Sequence, residues 1–416
     1  MSVCYLQVTP TDPLVARDGR PFGAGQGNRM RSLTWPLPSV VAGSFRTALV
    51  KSNPEWDFTK RTPIGVMRCE VAGVFPCGQR GSDLELYLPG PRDAVAEPDN
   101  NGSDGKKIKM IHRLKPAKAD GGCDLPSGLL PVLMPGNGED FKPAKMPTWW
   151  PVSRLTDWLL GETITFDDSF LLDPVQENRD HVCINPESGA AMTGQIFTST
   201  GLNLSMLSRF GCRSHDRFEK RFMHVSLHAR VTIDQKHAQA VNNLRIFSPL
   251  GGERRLVHWK QCKGIIQGWT CPEAIHQALR NLQPNQGVRM VLATPAIFKN
   301  GWLPDWINRE SLLGKPFGDG PTLQLVGAVV PRWKAVSGWA LQGHQSREGE
   351  TPSPVVPAQG PGPKAIRRMV LAGAVYFFKL CDGNPQILAT NGWLRSVSDS
   401  PIDRRDGFGF AVWGTW

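Results

Sequence analysis

The stretch "LVARDGRPFGAGQGNRMRSLTWP", starting at Leu14, concentrates arginine, aspartate and glycine. Arg17 and Arg20 flank Asp18, and the loop behind them carries Gly23, Gly25 and Gly27. A guanidinium is a permanent, multidentate donor, and glycine lets a backbone approach its ligand closely. The chemistry on offer is the holding of an anion. A second basic feature follows in "PLPSVVAGSFRTALV". Val41, Phe45, Ala48 and Leu49 share one side at helical spacing, which predicts the core face. Ser39, Gly43 and Arg46 share the other, with Ser39 the expected N-cap after Pro38. A helical glycine costs about 1 kcal/mol relative to alanine. Two explanations stand for keeping Gly43: a phosphate backbone approaching the helix start, or close packing of the helix on a sheet.

Motifs for turnover are sparse. "GSDGKK" lacks the spacing of a phosphate-binding P-loop, and there is no HExxH, no GxSxG elbow and no paired CxxC. His215-Asp216 is an isolated dipeptide, and Asp167-Asp168 reads as a turn. One alternative is open. Residues 222–233, "FMHVSLHARVTI", alternate cleanly, which predicts a half-buried strand with His224, His228 and Arg230 on its exposed face. A metal-independent ribonuclease could use such a histidine as general acid or base beside a 2′-hydroxyl. No metal and no cofactor are expected.

A chain of 416 residues exceeds one ordinary core, so two domains are expected. Forty-eight lysines and arginines against 37 acids give a net charge of +11, which favours a polyanionic partner. The N-terminus does not read as a signal peptide and no apolar run is long enough to span a bilayer. Nine scattered cysteines do not form a disulfide framework. A cytoplasmic protein with reduced thiols and no membrane partner is expected.

The elements that must position these residues follow from periodicity. "SVCYLQVTP" predicts an opening strand, "SRLTDWLLG" a short helix, and "TCPEAIHQALRNL" a helix with Thr270 and Glu273 at capping-box spacing. "VNNLRIFSPLGGERRLVHWK" reads as strand–turn–strand, and "GVRMVLATPAIF", "LQLVGAVVPRW" and "AIRRMVLAGAVYFFKL" supply further strands. From Glu97 to Pro147 the chain is polar and rich in glycine and proline, and "KKIKMIHRLKPAK" reads as an inserted basic arm. The second half repeats the coarse order of the first, which suits two helix-backed antiparallel sheets.

Several stretches, in order, resemble one family. They are "RDGRPFG", "WPLPSVVAGSFRTAL", "SPLGGERR", "LATPAIFKNGWLP", "VSGW", "PKAIRRMVLAGAVYFF" and the terminal "GFGFAVWGTW". From about Leu14 to Trp416 the sequence is similar to the third subunit of the Cmr-type (type III-B) CRISPR–Cas effector complex, within the repeat-associated mysterious protein superfamily. The 97–147 insertion lies outside the resemblance.

The resemblance implies an α+β fold of two ferredoxin-like (RNA-recognition-motif-like) domains with inserted loops, drawn here as 1–210 and 211–416. It implies a non-catalytic subunit that grips the 5′ repeat-derived tag of the CRISPR RNA. It further implies contacts with the large signature subunit, which carries the palm domains, and with the backbone subunit. The RNA-binding residues carried over are Arg17 and Arg20 with the loop glycines Gly23 and Gly25, and Ser39, Gly43 and Arg46 on the helix. "GGERR" adds Arg254 and Arg255, and "PKAIRR" adds Lys364, Arg367 and Arg368. Gly407, Gly409 and Gly414 match the superfamily's C-terminal glycine-rich motif, or serve only to pack a closing strand tightly. A CRISPR RNA-processing endoribonuclease and a protein scaffold without direct RNA binding are the alternatives.

Overall fold

The structure, a computed structural model, describes residues 1–18, 28–30, 32–57, 64–80, 83–99, 108–119, 121–136, 140–262, 264, 266–340 and 362–416. Strand β1 (Ser2–Pro10) opens the chain, burying Cys4, Leu6 and Val8 on one face. Helix α1 (Pro38–Lys51) follows and buries Val41, Phe45, Ala48 and Leu49, the face its periodicity predicts. Its start differs from expectation. Leu37 is the N-cap and no side chain caps the helix, because Pro38, with φ already set for helix, takes the first position and leaves Ser39 inside the first turn.

Next come β2 (Glu70–Arg80), β3 (Asp83–Pro89), β4 (Trp149–Pro151), helix α2 (Val152–Leu159), β5 (Leu171–Ile184) and β6 (Ala191–Arg209). Then follow β7 (Ser226–Ile233), α3 (Gln235–Asn242), β8 (Arg245–Pro249) and β9 (Leu256–Gln261). These strands make one sheet in the order β6-β5-β4-β3-β2-β7-β1-β9-β8, with short strands added at its margins. Helices α1 and α3 cover one face of the β1–β7–β9 region. There Phe45, Ala48, Val241 and Leu244 meet Leu6, Val231 and Trp259, and the Trp259 indole donates to Ser44 Oγ at 3.1 Å.

The remaining chain gives α4 (Glu273–Arg280), β10 (Gly287–Leu292), β11 (Thr322–Val329), β12 (Val375–Asp382), α5 (Pro401–Arg405) and β13 (Phe410–Thr415). The Thr270–Glu273 capping box does not form, since Pro272 holds the N-cap position of α4 without a side-chain cap. The second sheet runs β11-β12-β10-β13, with short strands at both edges. In chain order these are second, third, first and fourth. The central strands of the first sheet, β2-β7-β1-β9, stand in the same relation, and every neighbouring pair in both sets is antiparallel. The repetition legible in the sequence is therefore a shared strand order. The helix between the first and second strands does not repeat: residues 293–321 pass from β10 to β11 without one.

The molecule is a strand-rich mixture of α and β structure, and its first sheet continues past residue 210. Strands β7, β8 and β9 belong to the first sheet, and even the short strand Ile266–Gln267 pairs with β3.

The two sheets share a core and a buried ion pair. Arg289 Nη1 on β10 lies 2.9 Å from Asp93 Oδ2, with both side chains fully buried. Asp93 also accepts from the Trp158 indole of α2 at 2.9 Å, and Arg289 Nη2 donates to the Thr415 carbonyl at 3.0 Å. The terminal glycines serve packing. A Cβ on Gly414 would stand 2.6 Å from the Leu159 backbone oxygen, so α2 can rest on β13 only where that position lacks a side chain.

The 97–147 segment is not a free arm in its described part. Leu130 N donates to the Val326 carbonyl of β11 at 2.8 Å, and Leu129, Val132 and Met146 pack on the core. Arg113, counted among its basic residues, bonds the Trp158 and Glu162 carbonyls at 2.7 Å each. Lys106 and Lys107 lie outside the described residues.

Candidate functional site

The hairpin β8–β9 is closed by "LGGERR", and this turn sits directly on the segment that leads into the glycine loop. Gly252 N donates to the Val15 carbonyl at 2.7 Å, and the two residues form a bridge. Gly251 has φ +82°, and a Cβ there would come within 2.4 Å of the Val15 oxygen, so the contact requires glycine. A Cβ on Gly252 would stand 3.4 Å from Arg17 Cδ, which places the Arg17 side chain against the turn. Glu253 and Arg254 hold left-handed conformations at φ 56° and 52°, uncommon for residues with side chains. Arg254 is exposed, while Arg255 is half-buried and pairs with Glu253 at 3.1 Å. Two basic motifs more than 200 residues apart in sequence thus form one surface: Arg17, Arg254 and Arg255.

Both ends of the glycine loop are anchored beside this surface. Leu14 bridges Leu202 on β6, Arg17 bridges Ser32, and Asn28–Arg29 pairs in parallel with Phe197–Thr198 of the same strand. Arg20, Gly23 and Gly25 lie outside the described residues.

A second group gathers at the start of α1. Ser39, Lys364 and Arg367 line one small cavity together with Asp403 and Asp406. Arg367 grips Asp403 bidentately at 2.7 and 2.9 Å, so its fork already faces a carboxylate. Arg368 is exposed, with its guanidinium carbon 5.2 Å from the Trp333 ring centroid. Gly43 is exposed with nothing within 4 Å of an added Cβ, so close sheet packing does not account for it.

Arg46 is a correction. Its expected place among the RNA contacts does not suit its surroundings, because α5 and the chain behind it cover that side of α1. Arg46 Nη1 lies 2.6 Å from Asp406 Oδ1, and Nη2 donates to the Cys69 and Arg405 carbonyls at 3.2 and 3.3 Å. Its side chain is 13% exposed. A guanidinium held this way is a structural clasp and is not available to phosphate.

The histidine reading is corrected too. The predicted single strand breaks in two: Phe222–His224 pairs with the end of β6, while β7 lies between β1 and β2 with both faces covered. His228 is 2% exposed and bonds Ser226 Oγ at 2.8 Å. Burial, and then the Lys260 charge, push its pKa down to about 4. Arg230 donates to the Leu394 carbonyl beneath the second sheet. His224 is exposed on a different strand, so it does not share a face with His228 and Arg230. Among the described residues, no group of three or more His, Cys, Asp or Glu side chains could hold a metal. No helix among them is long and apolar enough to cross a membrane.

Four residues escaped the sequence reading. On the face of β8–β9 opposite the helices, Arg245 stands across from Lys260 and Phe247 across from His258. The alternation in "RIFSP" and "LVHWK" carried the signal, since Ile246, Ser248, Val257 and Trp259 occupy the other face.

A family model described as CRISPR-associated protein (Cas_Cmr3) matches residues 6–416. No curated protein matches the chain. Among solved structures, similar chains occur in "Cryo-EM structure of the Type III-B Cmr-beta bound to cognate target RNA and AMPPnP, state 1" and in the same assembly bound to cognate target RNA. The first is 11% identical with a TM-score of 0.41, the second 10% identical with 0.40. Each alignment covers 90% of this chain and 86% of the other.

Proposed function

Since this chain belongs to the Cas_Cmr3 family, a subunit family of type III-B CRISPR effector complexes, we propose that it is the non-catalytic subunit that holds the 5′ repeat-derived tag of the CRISPR RNA. In the same reading it bridges the large signature subunit to the backbone subunits, works in the cytoplasm, and folds as two ferredoxin-like units. The common second-third-first-fourth strand order supports the last point.

The observation that carries the RNA reading is the seating of the Gly251–Arg255 turn on Val15 and Arg17. Close-approaching backbone and several arginines at one place suit a phosphodiester, which needs short-range donors and positive charge. Glu253 pairs with Arg255, and Arg254 is the exposed cation of the turn. The burial of His228 weighs against cleavage.

Purified protein incubated with labelled repeat RNA, with and without Mg2+, and resolved on native and denaturing gels tests the proposal. A shifted band with intact RNA is expected. Cleavage products would support a processing endoribonuclease, and absence of any shift would support a protein scaffold.

A further inference from the structure

The outer hairpin of the first sheet carries an exposed face whose composition asks for a ligand. Arg245 and Lys260 are direct cross-strand partners on β8 and β9, and both are exposed. Like charges placed opposite one another destabilise a sheet. Neither forms an ion pair or a side-chain hydrogen bond among the described residues. In the next row Phe247 is 54% exposed, and its ring centroid lies 4.8 Å from that of His258. The rows continue onto β1 with Gln7 beside Lys260 and Thr9 beside His258, so neither row contains a carboxylate. Burial, then Arg245 and Lys260, hold the His258 pKa below its usual value, which keeps the ring neutral and able to stack. The nearest acid along the hairpin, Glu253, is in the turn and paired with Arg255.

We propose that this face, Arg245, Phe247, His258 and Lys260, is a docking strip for single-stranded RNA, with Phe247 stacking on a base and the opposed cations meeting backbone phosphates. An aromatic ring flanked by cations on an open sheet suits unpaired bases. A duplex offers no exposed base face and is not a ligand of the strip. The strip begins at the Gly251–Arg255 turn and runs along β8 for about 14 Å at a strand's rise per residue, so it extends the turn surface outward. It rests on the RNA-binding reading above and adds a path for the strand beyond the turn.

Fluorescence anisotropy of the full chain with labelled oligouridylate, and with the same label on a blunt RNA duplex, tests this. Phe247→Ala should weaken oligouridylate binding roughly five- to a hundred-fold while leaving weak duplex binding unchanged. Arg245→Gln and Lys260→Gln should each lower the salt slope for the single strand by about 0.7. Each should also hold or raise the melting temperature, because removing one of two opposed cations relieves repulsion. A merely structural role would lower it instead. If all three variants bind oligouridylate normally while Arg254→Gln does not, the strip is overturned and the turn stands. If the unaltered chain binds no RNA, both readings fall.

Discussion

Arg46 Nη1 and Asp406 Oδ1, 360 residues apart in sequence, meet at 2.6 Å and tie the first helix to the chain just before the last strand. Both side chains are largely buried, 13% and 12% exposed. Removing one partner leaves the other charge without compensation, which costs about 3 kcal/mol. Arg46→Ala should therefore lower the melting temperature clearly, and Asp406→Asn should do so less, since an amide oxygen can still accept. RNA affinity measured well below the transition should be unchanged in both. A variant of normal stability with lost RNA affinity would restore Arg46 to the binding surface.

The fully buried Asp93–Arg289 pair ties α2 and the two sheets together. Asp93→Ala strands a guanidinium in the core and should destabilise by about 3–5 kcal/mol. The double change Asp93→Leu with Arg289→Met removes both charges and should recover most of that loss. Equilibrium urea unfolding of the three proteins measures the coupling. Additive losses in the double variant would mean that the pair does not act as a unit.

His228 gives the fold an acid sensitivity. Its folded pKa of about 4 lies below the unfolded value near 6.5. Between these values the unfolded chain binds a proton that the folded chain refuses. The contribution is complete above about pH 6.5 and is lost as pH falls toward 4, by about 3 kcal/mol in all. His228→Gln should flatten that part of the stability–pH curve. An unchanged slope would assign the sensitivity to other groups.

Arg254 is exposed and has no acidic partner among the described residues. Arg254→Gln should leave the melting temperature within a degree or so, as surface changes usually do. A charge-assisted phosphate contact contributes about 1.5–3 kcal/mol, so tag-RNA affinity should fall roughly ten- to a hundred-fold. Calorimetry of the same preparation against tag RNA reads both effects.

What the sequence discloses divides along physical lines. Alternation places β1 at Ser2–Pro10, and helical spacing gives the buried face of α1, because local periodicity reports which residues share a side. It does not report what covers the other side. His224, His228 and Arg230 share a face on paper. In the fold His228 and Arg230 lie between layers, and His224 belongs to a separate strand. Arg46 falls opposite the core face of α1 in the sequence, and nothing local announces its partner Asp406, which arrives from the far end of the chain. Strands β2 and β7 are neighbours in the sheet although a long excursion separates them in the chain, and no local pattern announces that pairing. The convergence of Arg17 with Arg254 is legible only through family resemblance, as nothing local links Val15 to Gly252.

The central claim is that RNA is held where the Gly251–Arg255 turn meets Arg17. Ultraviolet crosslinking of the full chain to tag RNA, followed by mass spectrometry of the nucleotide-bearing peptides, tests it most directly. The expected adducts fall on the peptides that contain residues 14–18 and 251–256, and they diminish in Arg254→Gln. Adducts confined to peptides far from both segments, and undiminished by that substitution, would contradict the account.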